Sequence, residues 1–267
     1  MSEGALRELC ELQNAEMVLV GLGEDMQYDW RALTEDKRYC EIEKEIGNDE
    51  ERVWIIPFLQ KMILRQSRDD RWQRAYQNLK DMLAEKDYFI ISLCMDDYIY
   101  ETGFPENRIV TPCGGFRKMQ CDHNCSNVLV DIPQESYEMV LQYYRGEIPI
   151  GSLQEPVCDI CGNKLRFNQL GVTRYAEEGY LAGWSEYTKW LQGTVNRKLC
   201  VLELGVGMEY PTVIRFPFEK MTYYNQKAFL YRIHSSLSQI GEEIADRGMA
   251  VKENPLDFLY GFYGEST

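Results

Sequence analysis

The sequence predicts an α/β protein: a Rossmann-like, mainly parallel sheet with helices on both faces, plus a small zinc-binding module and a helical insertion. Three observations carry this expectation. Short apolar runs at residues 17–20, 88–93, 199–204 and 228–233 read as buried strands. Helical periodicity separates the earlier runs, and strands alternating with helices argue for parallel pairing. Two runs lead into glycine turns, Gly21-Leu22-Gly23 and Gly205-Val206-Gly207, at the strand ends where such sheets bind ligands.

Taken in order, Ala5–Leu12 has apolar residues at helical spacing, and Met17-Val18-Leu19-Val20 follows as a short strand. Val53–Leu64 predicts a helix that Pro57 either starts or kinks. Trp72, Tyr76, Leu79, Met82 and Leu83 fall on one face of a second helix. Tyr88–Leu93 is the clearest buried strand, followed by Asp96 and Asp97 and a short strand at Arg108-Ile109-Val110. Between Cys121 and Cys161 turns dominate and long apolar runs are missing, so this segment reads as an insertion. Leu199–Leu204 and Ala228–Ile233 complete the strands, and Asn254 caps a last helix with Pro255 at its first position. The expected division is a Rossmann-like domain of residues 1–116 and 171–267, a helical insertion at about 36–86, and a module at 117–170.

The 267 residues suit one large α/β domain or two small ones. Forty-three acids against 29 bases give a net charge of −14, which opposes a broad phosphate-binding surface and excludes nucleic acid as an expected partner. No apolar run approaches the ~18–20 residues of a membrane span, and Met1-Ser2-Glu3-Gly4 lacks secretory-signal character, so a cytoplasmic protein without membrane association is expected. Nine cysteines, an odd number, would not form a disulfide framework in that compartment.

Four of them form the strongest chemical signal in the chain. Cys121 and Cys125 are separated by three residues, and Cys158 and Cys161 by two. Two such pairs on tight turns can aim four thiolates at one zinc ion, closing its coordination and making the site structural. His123 lies inside the first pair as a minor alternative ligand. Gly21-Leu22-Gly23 is weaker evidence: glycines let backbone amides approach a phosphate, but they also serve tight packing, and Glu24 and Asp25 follow directly.

Taken together, the first glycine turn, Tyr88-Phe89-Ile90-Ile91-Ser92 with Asp96, Val110-Thr111-Pro112-Cys113-Gly114-Gly115, the two cysteine pairs and Leu204-Gly205-Val206-Gly207 resemble the sirtuins over nearly the whole chain. Lys86–Ile90, Leu202–Gly207 and Ile214–Thr222 look most like the bacterial sirtuins linked to macrodomain operons. The resemblance implies NAD+ bound across the sheet edge, cleavage of its nicotinamide–ribose bond, and transfer of the ADP-ribosyl group to an acyl-lysine oxygen or a protein side chain. The implied contacts are Gly21, Gly23, Ser92, Asp96, Gly205, Val206, Gly207 and His234, with an acyl-lysine or lipoate-bearing carrier protein as partner.

The departures from the family pattern are substantial. Where sirtuins carry Thr-Gln-Asn-hydrophobic-Asp, this chain has Ser92-Leu93-Cys94-Met95-Asp96. The histidine base falls at Cys113, where the macrodomain-linked subgroup has glutamine. Asn168-Gln169-Leu170 stands against that subgroup's Asn-Leu-Arg run, so the arginine is missing, and Arg232-Ile233-His234 replaces an Ile-Asn ribose contact. Leu22 and Glu24 stand where small residues accommodate phosphates. A thiol of ordinary pKa ~8.5 is no base at neutral pH unless a cation or helix N-terminus makes it a thiolate. Three readings stay open: an NAD+-using transferase or NAD+-cleaving enzyme with Asp96, Cys113 and Cys94 at the reacting centre; a catalytically silent protein that binds NAD+ or ADP-ribose as a sensor or interaction module; and a zinc-stabilised scaffold with no nucleotide.

Overall fold

A computed structural model describes residues 9–27 and 30–263. The expected first helix is seen as α1, Cys10–Asn14; its part before Leu9 lies outside the described residues. The strands are β1 Met17–Leu22, β2 Asp87–Ser92, β3 Ile109–Val110, β4 Gly114–Cys121, β5 Val130–Asp131, β6 Leu165–Gln169, β7 Leu199–Leu204, β8 Ala228–Ile233 and β9 Gly248–Val251. The helices that follow α1 are α2 Arg31–Glu35, α3 Lys37–Ile46, α4 Ile55–Gln66, α5 Asp70–Leu83, α6 Gln134–Tyr144, α7 Glu178–Gln192, α8 Arg215–Tyr224 and α9 Pro255–Gly261.

Six strands form one sheet in the order β3-β2-β1-β7-β8-β9, and every pairing is parallel. The fold class expected from the apolar runs is the one observed. All six residues of β1 and of β7 are buried, because helices cover both faces. Val18, Val20 and Leu22 point to a core shared with Tyr76, Leu79 and Leu83 of α5 and Phe258 and Leu259 of α9. Leu19 points the other way, into a core with Phe89, Val201, Tyr187 of α7 and Phe218 of α8. Strand period two therefore divides one apolar run between two layers.

A second sheet, β5-β4-β6, is antiparallel. It packs on two helices before it in sequence and on one inserted between its strands: Phe116 and Phe167 share a core with Ile42 of α3, Phe58 of α4 and Val140 of α6. Phe58 and Phe167 meet edge to face at 4.9 Å between ring centres. The helical stretch is thus split by packing, α2–α4 joining the small sheet and α5 the large one. Pro57 sits in the first turn of α4, where its missing amide costs no helical bond. Asn254 caps α9 as expected, its side chain accepting from Leu256 and Asp257 amides.

Parallel registry positions the site. Leu22 pairs with Ser92 on one side and Leu204 on the other, and Leu204 pairs with Ile233. The segments leaving β1, β2, β7 and β8 therefore emerge side by side at one sheet edge.

Candidate functional site

The two glycine turns interlock at that edge. Gly23 N–H donates to Leu204 O at 2.9 Å, and Asp25 N–H donates to Gly205 O at 3.1 Å. Any side chain at position 23 would drive into backbone: a Cβ there would stand 2.3 Å from Val206 Cα. Gly205 adopts φ +68°, the left-handed region that glycine reaches without penalty. Packing one turn on the other folds Glu24 back over the second turn. Its carboxylate accepts from Gly207 N–H at 2.7 Å and Glu209 N–H at 3.1 Å. Backbone amides of the second turn therefore hold an anion, and that anion belongs to the chain.

From β2, Ser92 is fully buried, and its hydroxyl accepts the Cys94 amide at 3.1 Å. The Cys94 thiol lies 3.4 Å from Gly23 O, so this residue braces the first glycine turn. Burial, followed by the Asp96 charge, pushes the Cys94 thiol well above its ordinary range, which makes it a neutral donor. Asp96 is buried and accepts the Tyr98 amide at 3.0 Å. Cys113 packs in the same core as Val206, and its carbonyl accepts from Leu170 N–H at 2.9 Å. Burial first, then the carboxylates of Glu209 and Glu24, push its thiol up to about 12. Acids face the thiol where a cation would be needed to ionise it, so its proton is held at neutral pH.

The sequence marks Asp97 only as the neighbour of Asp96 and says nothing of its environment. Asp97 adopts φ +57°, is 6% exposed, and its Oδ2 has no hydrogen-bond partner among the described residues. Burial and then Asp96 raise its carboxyl to about 7, with Lys61 pulling it back. Because the folded value exceeds the unfolded one, this group lowers stability progressively from about pH 4 to about pH 7, and the loss is complete above that. Asn, neutral and tolerant of the left-handed region, removes the penalty. Asp97→Asn is therefore expected to gain roughly 2 kcal/mol at pH 8 and almost nothing at pH 4, by urea unfolding at both pH values. Equal gains at the two pH values would exclude an ionised Asp97 as the source.

His234, expected from the resemblance as a ribose contact, follows β8 directly and is 4% exposed. Its Nδ1 accepts the amides of Ser236 at 3.1 Å and Leu237 at 3.2 Å, so that nitrogen carries no proton in the neutral ring. Asp25 Oδ2 lies 3.1 Å from the same nitrogen, a spacing that would suit an ion pair. Burial lowers the histidine pKa more than Asp25 raises it, and the two amides already use the lone pair, so the neutral form holds. Asp25 instead takes the Ser235 hydroxyl at 2.6 Å. Arg232, second to last in β8, is fully buried in a bidentate pair with Glu203, and thus structural.

The other site lies in the small sheet. Cys121 ends β4, and Cys121, Cys125, Cys158 and Cys161 bring their four sulfurs within 4.8 Å of one another. The pairs Cys121–Cys161 and Cys125–Cys158 are 3.5 and 3.6 Å apart. Zn–S bonds of about 2.3 Å in a tetrahedron require S···S of roughly 3.8 Å, so the donor set fits zinc. Asn163 donates to the Cys161 sulfur and lowers that thiol to about 6, while hydrogen bonding within the cluster, first to Cys161, pushes Cys125 up to about 12. A dication would relieve that proton sharing by letting all four ionise. His123 stands outside the sulfur cluster.

No family model matches the sequence. A probable bifunctional ADP-ribose hydrolase/ADP-ribosyltransferase of Fusarium oxysporum f. sp. cubense is 26% identical over 140 residues, which are 51% of this chain and 24% of that protein. A protein ADP-ribosyltransferase of Staphylococcus aureus strain Mu50 is 23% identical over 185 residues, 68% of this chain and 58% of that one. In both, the match spans less than two thirds of the relative. Among solved structures, a sirtuin from a study of substrate affinity superposes with a TM-score of 0.56 at 12% identity over the full length of both chains. Sir2Tm bound to a propionylated peptide gives 0.54 at 12% identity, covering 97% of this chain and 96% of that one. A Sir2 protein with a p53 peptide and NAD+ gives 0.55 at 12% identity, covering 95% and 94%.

Proposed function

We propose that this chain, which has the sirtuin fold, uses NAD+ as an ADP-ribosyl donor, transferring the group to a protein acceptor or to water. The observation that carries the reading is the donor set at the sheet edge: Gly207 and Glu209 amides already select an anion. The two curated relatives named for ADP-ribosyl transfer support the same class of chemistry. Bound NAD+ would supply an ADP-ribosyl group joined to nicotinamide by a bond that breaks through an oxocarbenium-like transition state.

The chain's own residues fit that task better than deacylation. Deacylation needs a base near the ribose, and Cys113 at about pKa 12 holds its proton at neutral pH. Positive charge developing on a ribose needs a fixed negative neighbour, which the Asp96 carboxyl would provide without moving a proton. The Gly207 and Glu209 amides would hold a phosphate, Ser92 and Cys94 would keep the first turn in place, and His234 would present its Nε2–H toward a ribose hydroxyl. An acyl-lysine or carrier protein is the proposed acceptor class, and zinc the proposed occupant of the four cysteines.

Calorimetry with NAD+ and with ADP-ribose, followed by nicotinamide release in cell extract, tests this reading. Binding and release are both expected, and Asp96→Asn should cut release about 100-fold, the scale of one lost electrostatic stabiliser. No heat with either nucleotide would overturn nucleotide use altogether. The neutral thiols at Cys94 and Cys113 favour one second reading, a sensor that binds without turnover. Heat without nicotinamide release would select it.

A further inference from the structure

We infer that Glu24 is a built-in competitor for nucleotide phosphate, an autoinhibitory carboxylate that must leave the second glycine turn before a dinucleotide can occupy it. The inference rests on the proposed use of NAD+ for its ligand, but its geometry is independent of it. Glu24 reaches two amides that are not in its own turn, those of Gly207 and Glu209, at 2.7 and 3.1 Å. A carboxylate presents two acceptor oxygens to two amides much as two phosphate oxygens would, so one cradle serves either occupant.

The surroundings make the contact a closed arrangement. The backbone of Gly23 and Asp25 is clipped to Leu204 and Gly205, which leaves Glu24 poised over the second turn. Gly207 itself gives the carboxylate room: a Cβ there would stand 3.1 Å from Glu24 Oε2. Exchange then resembles any competition for a site. The carboxylate's local concentration at the amides is high, and the ligand's apparent affinity falls by the fraction of molecules in which the cradle is open. Electrostatics add to this, since Glu24 and Glu209 both stand where a pyrophosphate would bring further negative charge.

Glu24→Ala opens the cradle, while Glu24→Gln keeps the side chain's size and one acceptor without the charge. Calorimetry with NAD+, ADP-ribose and inorganic pyrophosphate, run on wild type and both variants, reads the effect directly. At least tenfold tighter binding of all three ligands is expected in Glu24→Ala, with Glu24→Gln intermediate. A gain for pyrophosphate alone, with no heat from either nucleotide in any protein, would uphold the latch and overturn NAD+ use. Equal NAD+ affinity in wild type and both variants would leave NAD+ use standing and overturn the latch. Weaker binding in Glu24→Ala than in wild type would also overturn it, because the glutamate would then be supporting the site. Should Glu24→Ala fail to fold, Glu24→Gln carries the same comparison.

Discussion

Cys158→Ser is expected to abolish binding of about one equivalent of zinc per chain and to open the loops at the tip of the small sheet. Cys158 is a buried member of the cluster, and removing its sulfur leaves three ligands on the two loops. Metal affinity in structural sites of this kind is worth ~10–16 kcal/mol, and it appears as folding free energy because the unfolded chain has no preformed site. The loss should stay local. Phe116, Met119 and Phe167 remain packed with Phe58 of α4, so the base of the module keeps its apolar contact while the tip around residues 121–129 and 156–164 opens. Metal analysis together with hydrogen exchange checks both halves. His123→Ala is the control, with metal content unchanged. Wild-type protein containing well under one equivalent of zinc would defeat the site outright.

The sheet and the cysteine cluster were legible because both are written in spacing. A buried parallel strand is a short apolar run whatever its neighbours, and Leu199–Leu204 shows it with Glu203 as the one interruption. Two close cysteine pairs need only a loop that brings them together. β9, Gly248–Val251, was missed because an edge strand without a buried residue offers only a three-residue apolar run, Met249-Ala250-Val251, too short to stand out. The antiparallel sheet was hidden for a similar reason: β5 is two exposed residues, and β4 mixes Arg117 and Lys118 with its buried positions. At the sheet edge the sequence shows which residues are near, and the structure shows what they do to one another. Glu24 read as an obstacle to an anion, yet its side chain reaches the partner turn 183 positions away. In sequence Asp97 shows only as the neighbour of Asp96, since its left-handed backbone and unpartnered oxygen are products of tertiary packing.

The same lesson governs Arg232, whose place in β8 gave no hint that a full charge lies in the core. Its guanidinium donates to both Glu203 oxygens at 2.5 and 3.0 Å, to Glu219 at 2.8 Å and to Gln239 O at 2.6 Å. Burial works against the charge, but Glu203 and then Glu219 outweigh it and hold the guanidinium protonated. Arg232→Met keeps the volume and removes the charge, leaving Glu203 at 0% exposure without its partner. Breaking a buried pair from one side costs about 3–5 kcal/mol, which in a chain of this size lowers Tm by roughly 10 °C. Adding Glu203→Leu should recover most of the loss, since an apolar pair of similar volume needs no desolvation of charge. The single variant should also be relatively better off in acid, because a lone buried carboxyl escapes its penalty by taking a proton. The pair also backs the second glycine turn: Glu203 lies two residues before Gly205, and Arg215 beside it donates to Val206 O at 2.9 Å. Arg232→Met should therefore weaken ADP-ribose binding along with stability, while Arg232→Met with Glu203→Leu restores both. Thermal melts at pH 5 and pH 8 with calorimetry at 15 °C separate the effects, and a single variant as stable as wild type at pH 8 would refute the account.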